Sequence, residues 1–201
     1  MANPTDEAKI HWPRPFTPDL IRLRVKVVAG DDTVSSMWKA HTDQVLRSWE
    51  VYGPMFSFSK MYDYSTGSAD IEVQIDNFGS NGWISQSMVD RNSHYHITRA
   101  LIKLNAFYMS GDWDMYVPYA EGVYHHEFGH ILGLKDNRPG ILDGSPDNSC
   151  MNEAVLLTGG ASNRPNGLDQ AALEALYAHG EYAIPENDYI WTEIVDTFPA
   201  P

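Results

Sequence analysis

Residues 123–136, VYHHEFGHILGLKD, constrain the fold more than any other stretch of this 201-residue chain. Apolar residues at Val123, Phe128, Ile131, Leu132 and Leu134 predict a buried helix. The same helix carries His125, His126, Glu127 and His130, and a buried polar group left unsatisfied costs about 1–3 kcal/mol. A fold that buries this helix must therefore supply something for those groups to bind. His126 and His130 are four apart, one turn above each other on the same face. Two imidazoles so placed can hold one zinc ion at about 2.0–2.1 Å from each nitrogen. Glu127 projects slightly around the helix, where it can reach a water at the metal without binding the metal itself. This is the HExxH arrangement, with the glutamate as general base. His125 points roughly 100° away from its neighbour and is assigned a structural role.

A catalytic zinc site needs a third protein ligand and one open position. Gly133 and Asp136 lie three and six residues beyond His130. Glycine can adopt positive φ, end the helix and turn the chain back, which brings Asp136 beneath the ion. The extended pattern is HExxHxxGxxD. Glu153, in NEAVL, is the rival ligand, but it requires a second helix where SPDNSCMNEAVLLTGG is a poor opening, and it leaves Gly133 without a purpose. Spacing and turn chemistry together favour Asp136. Asp143 and Asp147 are further alternatives in the same loop.

The rest of the chain supplies a scaffold. LIRLRVKVV alternates, with Ile21, Leu23, Val25 and Val27 on one side and Arg22, Arg24 and Lys26 on the other, as a half-buried strand does. AGDD then turns, and Asp31, Asp32 or Thr33 can cap a helix in which Val34, Met37, Trp38, His41, Val45 and Trp49 recur at helical spacing. His41 on that face reads as a packed core residue rather than a ligand. MFSFSKM, ADIEVQID and ITRALIKLNAFYM read as further strands, the last with Ala100, Ile102 and Leu104 on one face. NFGSNGW is turn-rich. NGLDQAALEALYAH is a second amphipathic helix that directs Leu168, Ala172, Leu173 and Leu176 to a core. The final segment, with Pro185, Tyr189, Trp191 and Phe198, has no clear period and is expected to drape over the domain. This order of elements describes an α+β (α/β-like) domain with a mixed sheet.

Composition narrows the partners. A formal net charge of −13 disfavours nucleic acid and anionic membranes, and no apolar run approaches the length of a membrane span. Calcium is a candidate second ion, with Asp70, Asp76, Asp112 and Asp114 available, although none sits in a recognisable loop motif. His94 and His96 in SHYH, two apart on a strand, read as a surface pair rather than an ion site. Cys150 is the only cysteine, so no intrachain disulfide is expected. The opening MANPTDEAKIHWPRPF lacks the features of a signal peptide and fits either a cytoplasmic chain or a mature domain given a start Met.

HEFGHILGLKD resembles the zinc site of the metzincin clan of metalloendopeptidases, with Asp136 where the usual form has histidine. The aspartate form is similar to that of snapalysin-like proteases, and the surrounding elements to those of matrixin-like ones. The resemblance is specific over roughly residues 100–178. It implies a twisted mixed sheet, an active-site helix, a Met-turn and a C-terminal helix in one catalytic domain over 1–201. Its N-terminal subdomain would span about 18–136 and its C-terminal subdomain about 137–201. It assigns Met151 to the Met-turn beneath the ligands, GLDQAALEALYA to the C-terminal helix, and TRALIKLN to an edge strand near 100–105 along which an extended substrate would lie. The implied activity is peptide-bond hydrolysis with Zn2+ held by His126, His130 and Asp136. Residue 153 is not tyrosine, so the extra tyrosine ligand of astacins is not expected. The added charge of Asp136 would make the ion a weaker Lewis acid than three histidines would. Residues 152–160, with EAVLL, are expected to wall an apolar pocket. Family habit implies a secreted monomer. The competing expectation is an inactive or self-blocked zinc-binding domain of the same shape, acting as a binding protein.

Overall fold

The computed structural model describes residues 11–13, 20–31, 33–61, 67–109, 117–136, 149–152, 164–178 and 191–199. The alternation at the start of the chain becomes β1 (Ile21–Ala29), with Ile21, Leu23, Val25 and Val27 buried and Arg22 and Arg24 exposed. Then follow α1 (Thr33–Tyr52), β2 (Phe56–Met61), β3 (Ile71–Asp76), β4 (Trp83–Arg91) and β5 (Ile97–Asn105). A short α2 (Ala106–Met109), α3 (Val117–Ile131), α4 (Gly167–Leu176) and β6 (Trp191–Pro199) complete the described elements.

The strands form one six-stranded sheet in the order β2-β1-β3-β5-β4-β6. β1 pairs parallel with β2 and β3, and β3 parallel with β5, whereas β4 is antiparallel to both β5 and β6. The helices pack on the face that carries Val25, Ile71, Val73, Ile75, Ala100, Ile102 and Leu104, all buried. Trp38 and Trp49 of α1, and Tyr124, Phe128 and Ile131 of α3, are buried against it. Each large apolar side chain removed from water contributes about 1.5–3 kcal/mol. The opposite face is polar, with Arg24–Asp70 at 3.0 Å and Arg99–Glu72 at 2.9 Å. Exposed pairs of this kind are worth about 0–1 kcal/mol, so the apolar layer holds the sheet to its helices.

Several sequence expectations are corrected. Residues 100–105 lie in β5, which is flanked by β3 and β4 and is therefore interior; no substrate can pair with its edge. The strand beyond it, β4, was not foreseen, and neither was β6. Part of the tail expected to drape over the domain instead adds to the sheet, taking the outer edge of β4; Pro185 and Tyr189 lie outside the described residues. In α4 it is Leu173 that is buried, while Leu168 is 54% exposed and Ala172 also faces outward. Met37 of α1 is exposed, and Ser35, Thr42 and Leu46 share the buried face instead. His41 lies half-buried with its ring 5.0 Å from that of Trp38.

His94 and His96 do not share a strand face. Ser93 and His94 form a turn, Tyr95 follows at φ 63°, and the Asn92 side chain accepts the backbone N–H groups of both histidines. His94 is exposed. His96 is buried, edge-on to His11 at 5.2 Å between ring centroids.

Candidate metal centre

α3 ends as its sequence dictates. Gly133 has φ +98°, its N–H donates to His130 O at 2.9 Å, and Leu134 N–H donates to Gly129 O at 3.0 Å. These two bonds form a Schellman cap, which needs a residue that tolerates positive φ at this point. The chain reverses, and Asp136 returns to the face of the helix that carries the histidines.

There His126, His130 and Asp136 each offer one ligand atom, and the three atoms lie within 4.8 Å of one another. The two Nε2 atoms are 3.0 Å apart, and Asp136 Oδ1 is 3.3 Å from that of His126 and 3.2 Å from that of His130. On the far side of each ring, Nδ1 donates to a carbonyl: His126 to Cys150 O at 2.9 Å and His130 to Leu134 O at 3.0 Å. A carbonyl only accepts, so the proton of each neutral ring belongs on Nδ1, and Nε2 presents a lone pair to the centre. Asp136 Oδ1 is buried and accepts no hydrogen bond. Three lone-pair atoms this close repel one another unless something positive lies among them. A shared proton relieves one pair, whereas a metal cation relieves all three. Burial pushes the Asp136 carboxyl up, but in the metal-free cluster a proton carried on Nε2 of the His126 or His130 ring outweighs burial and holds the group well below the usual carboxylate range. The donor set thus fits a divalent cation of borderline softness, such as zinc.

His125 is buried and turned from this cluster, with Nδ1 2.9 Å from Glu121 O. Glu127 is fully buried, and both of its carboxylate oxygens are engaged from β4: Ser85 Oγ donates to Oε1 and Ser87 Oγ to Oε2, each at 2.5 Å. The Asp136 side chain is 26% exposed and, among the described residues, adjoins a cavity of about 260 Å³ lined in part by Met151 and Leu168.

The residues behind the ligands come from distant parts of the chain. Met151 is buried against Gly129, the residue preceding His130; a Cβ built on Gly129 would stand 2.3 Å from Met151 Sδ. The turn that carries Met151 is tied to α4 through Asp169, which accepts Ser149 Oγ–H at 2.5 Å and the N–H of Asn166 at 2.8 Å. Asn166 in turn caps α4 by accepting the Leu168 N–H at 2.8 Å. The Cys150 carbonyl that orients His126 is therefore anchored by the N-terminus of α4. The thiol of Cys150 is buried, and burial and then Asp169 push it well up. At the other end, the Tyr177 hydroxyl donates to Leu132 O at 2.9 Å and accepts the Trp12 N–H at 3.0 Å, while Trp12 Nε1 donates to Ile131 O at 2.8 Å.

Ser85 and Ser87 bond Glu127, while Gly129, Ser149 and Asp169 pack or bond behind His126 and His130; the sequence patterns point to none of the five as site residues. Gly129 alone left a signal, as a glycine inside a helix. Glu153, Asp143, Asp147, Asp112, Asp114 and the apolar wall expected at 153–160 lie outside the described residues. Calcium is not supported: Asp70 is bonded to Arg24, Asp76 Oδ1 accepts the Asn77 N–H, and neither joins a group of ligands among the described residues.

No protein-family model matches this sequence, and no curated protein matches it. Its structure is similar to the crystal structure of archaemetzincin from Methanopyrus kandleri, with a TM-score of 0.51 at 15% identity over 82% of this chain and 99% of that one. The structure of myroilysin is matched with a TM-score of 0.47 at 14% identity, over 85% of this chain and 96% of that one. The α+β architecture is thus similar to that of archaemetzincin, and at this identity the likeness is one of fold.

Proposed function

We propose that this protein is a zinc-dependent metalloendopeptidase. The observation that carries the reading is the convergence of His126 Nε2, His130 Nε2 and Asp136 Oδ1 beside Glu127, on a fold of the metzincin type. The three residues would hold the ion. When bound, zinc supplies Lewis acidity, which polarises a carbonyl and lowers the pKa of water. Glu127 acts as general base, taking a proton from the attacking water and delivering it to the departing amine. Met151 forms the floor of a Met-turn without binding the ion, and Gly133 returns Asp136 to it. The substrate is a protein or peptide. Export as a secreted monomer, with one catalytic domain of two subdomains over 1–201, belongs to the same reading.

An extended peptide bound by main-chain hydrogen bonds needs a free strand edge. β4 is the strand that touches Glu127, so a peptide beside β4 would run past the reacting groups. That lane is held by β6, with Ser85 opposite Phe198 and Ser87 opposite Asp196. This pairing favours a second reading, in which the resting molecule is self-blocked and binds zinc without turnover until β6 leaves β4.

Elemental analysis of the purified protein, together with casein cleavage in the presence and absence of a chelator, tests the proposal. One equivalent of zinc and chelator-sensitive cleavage are expected. Protein free of zinc after reconstitution would overturn both readings, and zinc-loaded protein without cleavage would leave only the second.

A further inference from the structure

Ser85 and Ser87 sit two apart on the buried face of β4, with Val89 following them in the same row. Packing alone favours a β-branched apolar residue at such positions. Both hydroxyls meet Glu127 instead, one on each carboxylate oxygen. An ionised carboxylate can only accept hydrogen bonds, and both contacts, at 2.5 Å, fall in the short range typical of charge-assisted O–H···O− bonds. The strand cannot readily shift its grip. β4 is paired on both sides, with Ser85 opposite Leu104 and Ser87 opposite Ile102 on β5, and the β6 partners on its other edge.

We propose that Ser85 and Ser87 are positioning residues for the general base: a two-point clamp that fixes the plane of the Glu127 carboxylate. The proposal deepens the peptidase reading and rests on it. Helix α3 sets where the Glu127 side chain leaves the backbone, and the two serines of β4 meet the carboxylate at its far end. The clamp limits rotation of the carboxylate in a buried site. Each carboxylate oxygen has a second lone pair, so Glu127 can still accept a proton from water while both serines remain bonded. Orientation of this kind matters because a small misplacement of a reacting group costs much of the rate.

The test uses S85A, S87A and the double variant, with S85T and S87T as variants that keep the hydroxyl. In the zinc-loaded protein, kcat of the double variant is expected to fall about 10–100-fold, the usual effect of removing partners that orient a metal site. KM should stay within about threefold, zinc stoichiometry should be unchanged, and threonine should restore most of the loss. A second readout needs no activity. In the metal-free protein, each serine-to-alanine change should lower the thermal midpoint, and most of that drop should vanish in an E127A background, because the interaction being removed is with Glu127. Active wild-type protein whose alanine variants keep kcat within about twofold would overturn the clamp. So would drops in midpoint that are fully additive with E127A. If the wild-type protein cleaves no peptide, the peptidase reading fails, while the unfolding cycle still decides whether the clamp exists.

Discussion

Met151 Sδ occupies the space that any side chain on residue 129 would need: a Cβ on Gly129 would lie 2.3 Å from it and 3.2 Å from the ring of Trp49. The turn that carries Met151 and the helix that carries His126 and His130 are fitted to each other at this point. G129A gains about 1 kcal/mol of helix propensity but overpacks a filled interior, at a cost of about 1–3 kcal/mol. The net effect expected is lower stability, together with weaker zinc binding as His130 shifts. Chemical denaturation with zinc titration measures both. A G129A protein more stable than wild type would disprove the fit, and G129A/M151A should recover part of the loss.

Glu127 lies outside the ligand cluster, so E127A should retain its full zinc content. Its peptidase activity should fall by about 10²–10⁴-fold, the usual contribution of a positioned general base. Zinc analysis and kinetics on one preparation check the pair of outcomes, and undiminished hydrolysis would remove Glu127 from its role.

D136A should lower zinc affinity sharply, because it removes the ligand that closes the cluster; a zinc titration with a competing chelator reads this directly. The same residue gives a pH signature in the metal-free protein. Its folded pKa lies below the unfolded value of about 3.9. The carboxylate therefore adds stability above about pH 4, and that stability is lost as pH falls through the lower folded value. Wild type and D136N should differ in thermal midpoint near neutrality and converge in strong acid. A gap that stays constant down to strong acid would contradict the assignment.

Removal of β6 tests the lane beside β4. If the lane is open in about 1–10% of molecules, a chain ending at Ile190 should hydrolyse extended peptides with kcat/KM about 10–100-fold higher. Peptides too short to pair with a strand should gain much less. Equal rates for the full and shortened chains, at equal zinc content, would mean that β6 does not compete with substrate.

What could be seen in the sequence was local in the chain. The ligand residues occupy one helix and the turn after it, so spacing and Gly133 were enough to suggest their convergence. β1, β3 and β5 were legible because their inward residues are uniformly apolar. β4 was not, because serine stands at two of its inward positions, where the alternation should be clearest; the substitution that hides the strand is the one that meets Glu127. β6 was hidden for another reason: its identity as a strand comes from pairing with residues about a hundred positions earlier. The buried row of α4 differs from the apolar pattern at Leu168, because the inward position of the first turn belongs to Asp169, which bonds Ser149 and the Asn166 N–H. His96 was read as a surface residue because its burial depends on His11, far off in the chain.

The Tyr177 hydroxyl accepts from Trp12, 165 positions earlier, and donates to Leu132. Closing so long a separation costs more chain entropy than a local contact does. During synthesis, the pair of imidazoles leaves the ribosome well before the polypeptide that braces the helix bearing them. Metal uptake should accordingly follow the finishing of the polypeptide, and a molecule cut short before Tyr177 would carry the ligands without the brace that holds them in register.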